Sequence, residues 1–194
     1  VRLFGLPEAI SAAVCPFDTM EGAVQTVITT IQLGIPVARI ELLDEAQLDA
    51  VNRYSKLNCA LKPTLFFEFH SDSRAHVAEQ AATVEALAAE RGGHGFAWAT
   101  KLEDRERLWK ARHDALYAAL ALRPRSRGWT TDVCVPSSRL ADCVLETKQD
   151  NANAPFPICL VGHAGDGNFH LVYVLDPSSA TEIETARVLN DRLV

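Results

Sequence analysis

The chain has 194 residues, 48% of them apolar, with 19 Lys and Arg against 25 Asp and Glu for a formal net charge of −6. That composition suits a globular domain with one sizeable core or two small ones, and the acidic balance argues against a nucleic-acid or anionic-membrane surface. No apolar run approaches the ~20 residues of a membrane span, and the five cysteines, which lack CxxC spacing, read as free thiols of a reducing compartment rather than as disulfides or a zinc knuckle.

In chain order, AISAAVCPF (9–17) predicts a first strand. DTMEGAVQTVITTIQLG (18–34) predicts a helix, with Ala23, Val27 and Ile31 at helical spacing, Asp18 as N-cap and Gly34 at its end. VARIELLD (37–44) alternates as a strand, EAQLDAVNRYS (45–55) is a short helix, and PTLFFEFHSD (63–72) is a strand. SRAHVAEQAATVEALAAERGG (73–93) is a capped helix and GFAWATK (95–101) a further strand. This β-α-β-β-α-β order is the split ferredoxin-like pattern, an α+β fold in which helices cover one face of an antiparallel sheet.

LEDRERLWKARHDALYAAL (102–120) predicts one long helix, with Leu108, Ala111, Ala115, Ala119 and Leu122 along one side. RPRSRG (123–128) is a loop, WTTDVCVP (129–136) one strand, and SSRLADCVLETKQD (137–150) a helix capped at Ser137 or Ser138. A hairpin follows, and SSATEIETARVLNDRLV (178–194) begins a last helix. The second half repeats a strand-helix-hairpin-helix theme, which reads as an enlargement of the first half's sheet. The chain starts at Val1 without a methionine, shows no signal or transit peptide, and ends inside an amphipathic pattern without a stop signal. Both ends read as cut, and the whole of 1–194 as one domain of a longer protein.

The hairpin, VGHAGDGNFHLVYV (161–174), carries the densest chemistry. A type I′ turn centred on Asp166-Gly167 is expected, since positive φ suits that pair. It sets His163 opposite His170 with Cβ atoms about 4.5–5.5 Å apart. Asn168 shares their face, while Leu160, Ala164, Phe169 and Tyr173 fall on the other. Two imidazoles so placed can reach one divalent ion at about 2.0–2.1 Å, although a catalytic site of the zinc type wants a third protein ligand. The pair also reads as half-buried cross-strand neighbours with satisfied nitrogens. Gly165 and Gly167 are expected to leave room for something to approach the backbone.

ARIELLDE, LWKARHDAL, TTDVCVP and HAGDGNFH, which follow one another along the chain in the family's order, resemble the C-terminal domain of FAD-linked D-2-hydroxy-acid dehydrogenases, and most of all those of the cytochrome-linked, mitochondrial D-lactate type. The resemblance implies that a separate N-terminal domain, not included in these residues, binds FAD, and that this domain caps the flavin and binds substrate. It implies His163 and His170 as ligands of a divalent metal, Zn or Mn, with the family's glutamate ligand and adjacent histidine beyond Val194, so that no catalytic base is assigned within the chain. It implies Arg112 as the substrate-carboxylate anchor, for which a planar guanidinium is well suited. Asn168 and Thr131 are expected at the substrate, and Asn168 and Gly167 beside the flavin. Where the hydroxyglutarate enzymes carry a lysine, this strand has Thr130 and Thr131, which points to a small monocarboxylate such as D-lactate.

The implied parent reaction oxidises a D-2-hydroxy acid to the 2-oxo acid with hydride transfer to FAD. Its expected partners are the small acid and an electron acceptor such as cytochrome c, a quinone or an electron-transfer flavoprotein. The expected location is the mitochondrion, with a bacterial cytoplasm as the alternative, and the isolated chain is expected to be inactive. Other readings remain: a D-2-hydroxyglutarate or glycolate dehydrogenase, or a non-catalytic ferredoxin-like binding module whose histidines take up metal adventitiously. A metallohydrolase is disfavoured, because no HExxH or Asp/His cluster supplies the other ligands and the base. Asp132 reads as structural, and His70, His76, His94 and His113 as histidines without a visible partner.

Overall fold

Strand β1 (Ala9–Pro16) opens the architecture, in a computed structural model that describes residues 5–194. Helix α1 (Met20–Gln32) is capped by Thr19, whose hydroxyl accepts from the Gly22 N–H at 3.0 Å. The expected cap, Asp18, is instead drawn to Lys62 and His94. There follow β2 (Val37–Leu43), α2 (Glu45–Ser55), β3 (Thr64–Ser71), α3 (Arg74–Ala89) and β4 (Ala97–Ala99). Their strands run in the order β4-β1-β3-β2 with every pairing antiparallel, which is the ferredoxin-like arrangement with α2 set between β2 and β3.

The single helix expected over 102–120 is two, α4 (Leu102–His113) and α5 (Ala115–Ala121), broken at Asp114. The Asp114 carboxylate takes Lys110 at 2.8 Å and the Ser55 hydroxyl, and Gln47 of α2 donates to the Ala115 carbonyl at 2.9 Å. These contacts tie the start of α5 to α2. Trp109, Ala111, Ala115, Ala118 and Ala119 are buried there, whereas Leu108 and Leu122 are only half-buried.

The strand expected over 129–136 is also two, β5 (Arg127–Thr130) and β6 (Val133–Cys134), both paired to β8 (Asn168–Leu175). Between them Thr131 uses both backbone and side chain on one partner: its N–H donates to the Leu171 carbonyl, and its hydroxyl accepts from the Leu171 N–H. That local bonding replaces a ladder step. Helix α6 (Leu140–Asn151) is entered through a 3₁₀ turn over Ser137–Arg139, so neither serine caps it. β7 (Ile158–His163) precedes β8, and α7 (Ala180–Leu193), capped by Ser179, follows it.

The two halves share one eight-stranded sheet, β4-β1-β3-β2-β7-β8-β5 with β6 also on β8. The seam is the β2–β7 pairing, Leu42 opposite Gly162 and Leu43 opposite Val161. The expectation of helices on one face is corrected by the packing. α1, α3, α6 and α7 cover Phe67, Leu160, Phe169 and Tyr173, while α2, α4 and α5 cover Leu43, Phe66, Val161 and Val172 on the opposite face. Central strands such as β8 are apolar at successive positions because both of their faces are buried. All five cysteines are free, and burial pushes the Cys15 thiol up to about 11 and that of Cys159 to about 12. Among the described residues no helix is long and apolar enough to cross a membrane.

Candidate functional site

The connection from β7 to β8 is longer than a two-residue turn. Ala164–Asp166 form a 3₁₀ turn, Gly167 closes it at φ +73°, and His163 pairs with Asn168 while His170 pairs with Val161. The register therefore differs by two residues from the expected one. Side chains alternate with period two, so His163, Asn168 and His170 still share a face. The imidazoles are diagonal rather than directly opposite, with ring centroids 5.7 Å apart and planes at 85°.

The glycines make room for the chain itself. A Cβ on Gly167 would lie 2.2 Å from the Val135 carbonyl oxygen, and one on Gly165 would lie 3.2 Å from the Ile40 nitrogen. Gly167 is thus required by the packing of the turn against the segment after β6.

Each imidazole is oriented through Nδ1. His163 Nδ1 lies 2.8 Å from Glu41 Oε1, and His170 Nδ1 lies 3.0 Å from the Thr131 carbonyl oxygen. A carboxylate and a carbonyl only accept, so in each neutral ring the proton sits on Nδ1 and the lone pair on Nε2. Acceptors behind the ring that leave Nε2 free are the arrangement found around metal-bound histidine. The His163 side chain is 45% exposed and that of His170 21%, so both rings are accessible. Two donors of this kind suit a first-row divalent ion. Among the described residues, no group of three His, Cys, Asp or Glu converges to hold one.

Glu41, on β2, is the site residue that sequence reasoning missed. It is 5% exposed, and its second oxygen accepts from Arg112 Nε at 2.8 Å. Arg112 is half-buried on α4, and no hydrogen bond among the described residues engages its two terminal nitrogens. One carboxylate thereby links the helix that carries the arginine to the strand that carries the histidine. The signal was present in ARIELLDE: a glutamate inside a strand buried on both faces is rarely tolerated unless paired.

On the same face Arg39 lies 3.9 Å over the Trp109 ring and pairs with Glu68 at 2.8 Å. Burial works to raise the Glu68 carboxyl, yet the hydrogen bonds from Arg39 and His70 outweigh it and hold it below its ordinary value. Asn168 donates to Asp132 at 2.8 Å and to the Val133 carbonyl at 3.1 Å, which leaves its carbonyl oxygen for other partners. Asp132 also lies 3.5 Å from His170 Nδ1. Thr131 is 2% exposed with its hydroxyl accepting from the Leu171 N–H, and its carbonyl oxygen lies behind His170. Of the other histidines, His70, His76 and His94 each meet a carboxylate, and His113 stacks on Trp109. Beside Glu41 and His163 a cavity of about 70 Å³ extends to Ile40 and Gly165.

The chain matches the family described as FAD linked oxidases, C-terminal domain, over residues 6–194. It is 46% identical over 193 residues to a protein of Danio rerio named "Probable D-lactate dehydrogenase, mitochondrial", covering 100% of this chain and 39% of that protein. It is 38% identical over 194 residues to the "D-lactate dehydrogenase [cytochrome], mitochondrial" of Arabidopsis thaliana, covering 100% of this chain and 34% of the relative. The chain thus spans between a third and two fifths of the length of these relatives. Among solved structures, a 4-ethylphenol oxidase from Gulosibacter chungangensis shares the fold, with a TM-score of 0.68 at 12% identity over 99% of this chain and 44% of that one. On the match across residues 6–194, this chain belongs to the FAD-linked oxidases and forms their C-terminal domain.

Proposed function

We propose that the full-length polypeptide is a flavin-dependent dehydrogenase that oxidises D-lactate, or a closely related small D-2-hydroxy acid, to the 2-oxo acid. The observation that carries this reading is the meeting, on one open face, of two Nε2 lone pairs from His163 and His170 with a guanidinium whose terminal nitrogens are free. A 2-hydroxy acid presents a carboxylate and a hydroxyl on adjacent carbons, and these groups match the two halves of the face.

Arg112 holds the substrate carboxylate through its terminal nitrogens while its Nε stays on Glu41. His163 and His170 would hold a divalent ion as two of its donors, and such an ion would supply Lewis acidity toward the substrate hydroxyl oxygen. FAD, which would be held mainly by the remainder of the polypeptide, would supply the acceptor for the substrate's hydride. Asp132 and Val133 hold the Asn168 amide nitrogen, which leaves its carbonyl oxygen to accept from a bound hydroxyl or from a donor on the flavin. With threonines at 130 and 131 and Arg39 already paired with Glu68, Arg112 is the arginine that this face offers among the described residues, which suits a monocarboxylate. The relatives' names support the mitochondrion as the compartment and a cytochrome as the electron acceptor.

The test is D-lactate-dependent reduction of a dye by the FAD-loaded full-length protein, beside its His163→Ala and His170→Ala variants, with bound metal measured in each. Turnover by the wild type and loss of both metal and turnover in the variants is expected. Normal metal content and normal turnover in the variants refute the role given to the histidines.

A further inference from the structure

We infer that Glu41 is the positioning residue of this site, fixing the metal-facing imidazole of His163 with one oxygen and the substrate-facing guanidinium of Arg112 with the other. The inference rests on the functional reading above and goes beyond it, by assigning how the two halves of the substrate face are held in register.

The first argument is burial. Glu41 sits on β2 among Ile40, Leu42 and Leu43, and all four are buried. A buried carboxylate is a weak device for stability, because well-packed apolar side chains in place of a buried ion pair are commonly as stable or more so. Asp44, three residues on, shows what a structural buried carboxylate does here: it caps α2 through the Gln47 N–H, accepts from the Leu160 N–H, and meets Lys148. Among the described residues the Glu41 carboxylate bonds no backbone group. Both of its hydrogen bonds go to side chains that face the candidate ligand.

The second argument is which arginine nitrogen is used. Arg39 and Arg123 meet their glutamates through terminal nitrogens, Nη2 on Glu68 and Nη1 on Glu182. Arg112 gives Glu41 its Nε instead, so the fork that grips a carboxylate stays clear. On the other oxygen, accepting from Nδ1 of His163 selects the tautomer with a free Nε2. A glutamine here has one accepting oxygen for two donors, and an aspartate is one methylene too short to reach both.

The experiment uses the full-length, FAD-loaded protein with Zn²⁺ and D-lactate as probes. Glu41→Gln should raise the zinc dissociation constant 10- to 100-fold, the usual cost of removing a partner behind a metal-bound histidine. At saturating zinc it should also raise KM for D-lactate at least tenfold while changing kcat less. In an Arg112→Lys background the KM effect should largely vanish while the zinc effect persists, because residues acting as a unit are non-additive. If Glu41→Gln fails to fold, Glu41→Asp is measured in the same way. Wild-type zinc affinity and KM in the folded variant overturn the inference whatever its melting temperature, as does a KM effect that simply adds to that of Arg112→Lys. In either case a wild type that turns over D-lactate leaves the functional reading standing. A wild type that neither binds zinc nor oxidises D-lactate removes both.

Discussion

Replacing Arg112 by lysine tests the carboxylate-binding role directly. The guanidinium gives its Nε to Glu41 at 2.8 Å, and among the described residues its terminal nitrogens stay clear for a second acceptor. Lysine keeps the charge but concentrates it in one ammonium, which cannot span both. The buried Glu41 carboxylate is the more demanding acceptor, because leaving it unpaired costs its full desolvation. The ammonium therefore stays with Glu41, and the substrate loses a charge-assisted hydrogen bond of about 1.5–3 kcal/mol. In kcat/KM for D-lactate that is a fall of about tenfold to a hundredfold. The carboxylate is unchanged by the reaction, so the loss should enter mainly through KM, with kcat close to wild type. Steady-state dye reduction by the FAD-loaded full-length protein at saturating metal reads both parameters. A kcat/KM within threefold of wild type would place Arg112 among ordinary helix arginines and refute the reasoning.

Gly167→Ala should destabilise the domain, because an alanine at φ +73° costs about 1–2 kcal/mol and its Cβ would lie 2.2 Å from the Val135 carbonyl oxygen. With a total of at least about 2 kcal/mol, the melting temperature should drop by about 4–8 °C, and an unchanged value would mean the turn has another conformation. Glu68 predicts a pH effect: its carboxyl is held below its ordinary value of 4.5, so the stability it contributes is present above that value and is lost as pH falls through the depressed one. Melting temperatures of wild type and Glu68→Gln should therefore converge in acid, with the wild type falling more steeply, and parallel curves would contradict the assignment.

Periodicity carried much of the fold. The ferredoxin-like half is readable because each strand and helix there ends at a local signal, such as the positive-φ Gly34 or the Asp44 cap. The second half resisted where tertiary contacts override local pattern. Asp114 interrupts an otherwise continuous helical pattern where its carboxylate takes both Lys110 and Ser55, and Thr131 splits a strand by bonding Leu171. The hairpin shows why the site survived a wrong turn type. A register error of two residues preserves every face, so His163, Asn168 and His170 were grouped correctly from the wrong pairing. Glu41 was overlooked because the helices on the second face were not foreseen. With one face open to water, a glutamate on β2 needs no explanation; with both faces covered it demands partners, and these come from segments far along the chain.

That separation has a consequence for how the domain is made. Glu41 and His163 are 122 positions apart, and Glu41 and Arg112 are 71 apart. Bringing together chain ends separated by the longer interval costs roughly 4 kcal/mol in loop-closure entropy before any contact compensates it. As the chain leaves the ribosome, β1 to β4 are complete while β7 is still unsynthesised, and β2 is then an edge strand. Its Leu42 and Leu43, which later pair with Gly162 and Val161, offer unpaired backbone groups and apolar side chains to any neighbouring chain. The acid at position 41 helps to discourage such a partner, since pairing there would bury an uncompensated charge. The same carboxylate that unites the finished site thus guards the unfinished sheet until β7 arrives with its histidine.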